Sequence, residues 1–168
     1  MFANLALDRI SIINAITDEY GDYQDIVLTP GTQPMQARIS PDGKYLYISS
    51  RGFAQLLVYD TETDTLVTLV SVTGMPMHIA VTSAGNKIYF GSAMMQNVNV
   101  IEKNGITWTK TKEISQPGFS MLHGCDVAAD DRYVFVSSRN SNDLLKPYFD
   151  VENEGPPGSI GMIDTQKD

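Results

Sequence analysis

Apolar and polar residues alternate along this chain in short runs separated by turn-forming residues, and the alternation recurs. It is clearest where Tyr45, Tyr47 and Ser49 interleave with Leu46 and Ile48, the period-2 pattern of a half-buried strand. The stretch from Ala37 to Ser50 is echoed by Ile79 to Ser92 and again by Cys125 to Ser138. A pattern that returns at near-constant spacing signals a repeat architecture, in which each unit buries its apolar face against the next.

Each unit reads as four short antiparallel strands. The first complete unit places them at Gln36 to Ser40, Lys44 to Ser50, Gln55 to Asp60 and Thr65 to Val72. Pro41-Asp42-Gly43 joins the first two, with proline presetting φ and glycine taking a positive φ. The second unit gives His78 to Thr82, Lys87 to Ser92, Asn97 to Glu102 and Thr107 to Glu113, with Asn104-Gly105 as the strongest hairpin signal of the chain. The third gives Gly124 to Ala128 and Arg132 to Ser138. A polar insertion over 139–158 follows, and then a strand at Ser159 to Asp164. At the start, Asp8 to Asn14 matches the third-strand segments, and Gln24 to Thr29 follows as a fourth strand. The units therefore fall at about 5–30, 34–72, 76–113 and 119–164, within one domain spanning 1–168.

The unit Ile39-Ser40-Pro41-Asp42-Gly43-Lys44-Tyr45-Leu46-Tyr47-Ile48-Ser49, followed by a third strand ending in Asp60-Thr61, resembles the YVTN-type β-propeller repeat. That family includes surface-layer-like proteins and the propellers of nitrous-oxide reductase and haem d1 proteins. The resemblance implies an all-β fold of four-stranded antiparallel blades set around an axis, in a periplasmic or extracellular setting. About three blades' worth of strands is fewer than the six to eight of the family, so an incomplete ring is expected, either part of a longer propeller or a protomer. Its partners would be other blades, because an uncovered blade leaves an apolar face and a strand edge in water.

Charge narrows the partners further. With 20 acidic and 12 basic residues the net charge is -8, which argues against nucleic acid, since phosphate binding needs a basic face. No apolar run is long enough to span a membrane, and Met1 to Leu7 lacks the pattern of a secretory signal. A single cysteine excludes an intrachain disulfide.

Strand alternation brings the loops entering each first strand (31–34, 74–76, 116–122) to the same face as the loops beginning at Arg51, Ala93 and Arg139. By resemblance this is the ligand face. Arg51 and Arg139 each follow a Ser-Ser pair. Such arginines could grip a carboxylate or phosphate, or pair within their own blades. His123 opens a first strand in the slot held by Met35 and Met77, and His78 stands one residue further along its own copy. Each histidine is a candidate ligand-binding residue; the alternative for His123 is a hydrogen bond to a loop carbonyl that helps turn the chain into the strand. Met35, Met75, Met77, Met94, Met95 and Met121 cluster near the same face. Thioether with imidazole suits Cu(I), whereas methionine also simply fills irregular gaps.

The insertion 139–158 carries Asp143, Asp150, Glu152 and Glu154 around Tyr148 and Phe149. It reads as a protein-contact loop, with calcium as a weaker possibility. Period 2 would put His123 and Cys125 on one side of their strand, a nucleophile–base geometry, although a lone strand cysteine is ordinarily a small core residue.

The sequence names no cofactor and contains no catalytic constellation. The expectation is a non-enzymatic binding or scaffold module, with Arg51, His78, His123 and Arg139 as binding residues. The alternatives are a redox-associated propeller holding a metal or haem-type group, and a calcium-dependent lactonase-like hydrolase.

Overall fold

A computed structural model describes residues 1–21, 23–139 and 158–168. Its elements are fourteen strands in four antiparallel sheets, with no helix among the described residues. The first sheet holds β1 (Phe2–Asn4), β2 (Arg9–Ser11) and β3 (Ile26–Val27). The second holds β4 (Pro34–Ile39), β5 (Tyr45–Ser50), β6 (Gln55–Asp60) and β7 (Thr65–Ser71). The third holds β8 (Pro76–Val81), β9 (Lys87–Ser92), β10 (Asn97–Asn104) and β11 (Thr107–Ser115). The fourth holds β12 (Leu122–Val127), β13 (Tyr133–Ser138) and β14 (Ser159–Asp164). In every sheet the strands pair in chain order, so each is a simple meander. The chain is all-β, a partial β-propeller without a closed ring.

Local chemistry sets the turns. Gly43 and Gly85 take φ of 75° and 68°, the left-handed conformation that glycine adopts without a Cβ penalty. The Asp42 carboxylate accepts from the Lys44 backbone N–H at 3.2 Å and from the Ser40 hydroxyl at 2.6 Å, and these bonds hold it below the usual carboxylate range. In the fourth sheet Asp131 occupies the glycine position with φ of 57°. Its carboxylate receives the Ser83 backbone N–H at 2.9 Å and the Ser83 hydroxyl, from the neighbouring sheet. Asn104-Gly105 turns the predicted hairpin, with Asn104 opposite Thr107.

Two boundaries depart from the sequence reading. β1 is an additional strand, pairing Phe2 with Ser11 and Asn4 with Arg9. The chain thus enters the first blade at its second strand rather than its third. The fourth strand expected over 24–29 contracts to Ile26–Val27. Asp25 beside it is taken up by Arg9, Ser11 and Tyr20 side chains at 3.4, 3.2 and 3.0 Å. The insertion and its expected protein contact lie outside the described residues, save Arg139 and Gly158 at its ends.

The core is laid down between successive sheets. Ile10, Ile26 and Leu28 pack against Leu46, Ile48, Leu57 and Tyr59. Tyr47, Leu56 and Val58 pack against Ile79, Ile88 and Phe90, with Trp108 at the outer edge. Tyr89, Val98 and Val100 pack against Leu122, Cys125 and Val136. Burial of side chains of this size stabilises by about 1.5–3 kcal/mol each. The second sheet thus buries one face against the first and the other against the third. Strands β4, β8 and β12 each form the same edge of their sheet, and this positions the residues considered next.

Candidate functional site

Each of β4, β8 and β12 begins with a bulge, between Pro34 and Gln36, Pro76 and Ile79, and Leu122 and Cys125. The register past the bulge makes three sets equivalent: Gln36, His78 and Gly124; Ala37, Ile79 and Cys125; Arg38, Ala80 and Asp126. A bulge leaves a backbone group out of the ladder. In the second and fourth sheets a serine answers it. Ser49 Oγ accepts from Gln36 N at 3.1 Å, and Ser137 Oγ accepts from Gly124 N at 2.8 Å. The third sheet has Gly91 there, and a Cβ on it would lie 2.7 Å from Leu122 Cβ.

The serine closing each second strand ties the two loop sets together. Ser50 Oγ donates to Thr32 O at 2.8 Å. Ser92 Oγ accepts from Met75 N at 3.0 Å, and Ser138 Oγ accepts from Ser120 N at 2.8 Å. Gly52 passes so close to the entering loop that a Cβ on it would meet Gly31 O at 1.8 Å.

The frame brings His78 and His123 together, with ring centroids 4.8 Å apart and planes at 59°. Both side chains are half-buried. Burial, then the neighbouring His78, then the Arg139 charge hold His123 below its ordinary value, so its imidazole is neutral at pH 7. Three of the four anticipated residues therefore share one electrostatic environment. Arg51 does not join them. It is exposed, and its backbone N–H donates to Gln33 O at 3.1 Å.

Three neighbouring residues escaped the sequence reading. Arg38 Nη2 lies 3.2 Å from Asp126 Oδ1, and its Nη1 donates to Ile79 O at 3.3 Å. Gln36 Oε1 accepts the Ile79 N–H. Two side chains of β4 thus satisfy both polar groups of Ile79 on the unpaired edge of β8. With His78, Gly124 and Cys125, these residues line a cleft of about 370 Å³. The available signal was the aligned repeat itself, in which an arginine and an aspartate flank an alanine at one register position.

Two anticipated chemistries find no support here. Cys125 is 7% exposed, its Sγ lies 3.8 Å from Tyr89 O, and burial pushes its thiol up to about 12. The bulge between Leu122 and Cys125 interrupts the strand alternation on which the nucleophile reading rested: Cys125 joins the core, while His123 meets His78. Among the described residues no three His, Cys, Asp or Glu side chains gather to hold a metal ion. Of the methionines, Met77 is buried and Met94 and Met95 are more than half exposed.

Residues 3–117 match the family described as lactonase, 7-bladed β-propeller. Antigen Lp49 of Leptospira interrogans is 25% identical over 142 residues, covering 80% of this chain and 30% of that protein. Among solved structures, hydrazine synthase of Kuenenia stuttgartiensis is similar with a TM-score of 0.65 and 23% identity, over 89% of this chain and 37% of that one. A candidate 6-phosphogluconolactonase from Bacteroides fragilis is similar with a TM-score of 0.69 and 18% identity, over 82% and 44%. The chain spans less than half the length of each of these proteins.

Proposed function

Because this chain belongs to the lactonase family of seven-bladed β-propellers, we propose that it serves as a binding module, built from blades of YVTN type and completed by further blades, whose His78–His123–Arg139 face takes a small anionic ligand. The observation that carries this reading is the meeting of two imidazoles, one of them under the charge of Arg139, beside a mixed polar and apolar cleft that His78 lines. The neutral imidazole of His123 can donate and accept hydrogen bonds, and arginine matches the geometry of carboxylate and phosphate. The proposed setting is periplasmic or extracellular, on the family resemblance of the repeat.

Calorimetry with 6-phosphogluconate, chosen from the solved relatives' assignment, tests the reading. Binding should weaken about 10- to 100-fold in Arg139→Ala and His123→Ala, the cost of losing a hydrogen bond to a charged group, and stay unchanged in Arg51→Ala. No heat of binding, or equal loss in all three variants, counts against it.

A second reading is favoured by the family and by the neutral state of His123. An unprotonated imidazole can take a proton from water as its oxygen attacks a lactone carbonyl, and return it to the ring oxygen as the ring C–O bond breaks. Hydrolysis of 6-phosphogluconolactone that His123→Ala abolishes while the product still binds would favour this reading over a pure binding role.

A further inference from the structure

Strands β4, β8 and β12 each have one edge without a partner strand, and the backbone polar groups on that edge must be met by something other than a ladder. At the junction of the second and third sheets the answer is a strap of two side chains. Gln36 Oε1 accepts the Ile79 N–H, and Arg38 Nη1 donates to Ile79 O at 3.3 Å.

The junction of the third and fourth sheets has neither member of this strap. In register, Cys125 of β12 takes the place of Ile79, His78 that of Gln36 and Ala80 that of Arg38. The Cys125 N–H therefore faces the same open edge. Residues two apart in an antiparallel pair direct their N–H groups the same way, and the Val127 N–H is met by the Asp126 carboxylate at 3.0 Å. Alanine offers no donor, and the His78 ring lies instead against His123. Among the described residues no side chain reaches the N–H or the carbonyl oxygen of Cys125. Both sides of this junction, β8 and β12, are described, so the difference belongs to these residues and not to a further blade.

The open N–H stands in the cleft that His78, Gly124 and Cys125 line together with Gln36 and Arg38. The Asp126 carboxylate on the same wall is held by Arg38 at 3.2 Å, whose guanidinium offsets its charge toward an incoming anion. A group that replaces the Gln36 carboxamide must be planar and must present an acceptor oxygen. A carboxylate has that shape, and its charge strengthens the bond from a backbone N–H.

We propose that the Cys125 backbone N–H is a ligand-binding donor, taking a carboxylate oxygen of the ligand in the place that Gln36 Oε1 holds at the preceding junction. The proposal rests on the anion-binding reading and deepens it by adding a donor and naming the end of the ligand that it holds.

The chain has a single cysteine, so protein isotopically labelled at the cysteine nitrogen gives one amide signal, that of Cys125. Titration with 6-phosphogluconate should move this signal downfield, saturating together with the heat of binding. Sorbitol 6-phosphate, which carries a hydroxymethyl group in place of the carboxylate, should bind about 10- to 100-fold more weakly and leave the signal where it is. His78→Gln should move the signal without ligand, its carboxamide accepting the Cys125 N–H as Gln36 accepts that of Ile79. It should also weaken 6-phosphogluconate about 10- to 100-fold, by more than His78→Ala, which leaves the N–H open. Saturating heat with an unmoved amide, equal movement by both ligands, or a greater loss in His78→Ala than in His78→Gln overturns the proposal and leaves the binding reading intact. An absence of heat with 6-phosphogluconate removes the binding reading, and the proposal with it.

Discussion

Arg38 on β4 reaches past the place of Ala80 to pair with Asp126 on β12, two sheets away, at 3.2 Å. The pair is partly exposed, with side-chain accessibilities of 37% and 70%, and bonds of this kind contribute about 0–1 kcal/mol. Each partner has a second bond, Arg38 to Ile79 O and Asp126 from the Val127 N–H at 3.0 Å, but asparagine keeps the acceptor whereas alanine loses the donor. Urea denaturation should therefore find Asp126→Asn nearly neutral and Arg38→Ala costlier by about 1 kcal/mol, the usual net worth of one hydrogen bond. A double-mutant cycle with coupling well above 1 kcal/mol would show that the ion pair, rather than the backbone contact, holds the edge.

The histidine pair predicts an acid-sensitive junction between the third and fourth sheets. His123 is held below its ordinary value of 6.5 in the fold, so below that pH the unfolded chain binds the proton more readily than the folded one. Stability from this group is present above about pH 6.5 and is lost as pH falls through the folded value. The melting temperature should drop between pH 7 and 5 by more in the wild type than in His78→Gln, which installs the residue found at the equivalent place, Gln36, and removes one repelling charge. Identical acid slopes would show that the His78 charge does not contribute.

Cys125 should be inert. With its thiol pushed up to about 12 and its sulfur in the core, it should fail to react with a thiol reagent at pH 8 until the chain is unfolded. Rapid labelling of the native protein would contradict the packing of β12 against β9.

Gly91→Ser would give the third sheet the serine that the second and fourth sheets use to cap their bulges. It should nevertheless destabilise, by about 1–3 kcal/mol, because the added Cβ meets Leu122 Cβ at 2.7 Å. Ser137→Gly should also destabilise, by about 1 kcal/mol, through loss of the bond to Gly124 N. Chemical denaturation of both variants measures the two effects independently.

The strands that alternate cleanly, such as Tyr45–Ser50 and Lys87–Ser92, were legible because side-chain period and turn chemistry agreed there. β1 was not, since three residues carry too little pattern and only the pairing with β2 defines them. The meeting of His78 and His123 was foreshadowed by their neighbouring register, whereas separation of His123 from Cys125 depended on a bulge that strict alternation cannot foresee. Arg51 and Arg139 looked alike in sequence because each follows two serines. What distinguishes them is the nearness of His123, a relation between residues of different strands.

Asp131 shows how a repeat can lose its symmetry without losing its fold. Its left-handed turn no longer depends on a residue that lacks a side chain, and the carboxylate it carries instead is anchored by Ser83. Ser83 and Asp131 are thereby coupled: a change at Ser83 is felt at a hairpin 48 residues away. The turn of one blade is in this way held by a side chain of its neighbour.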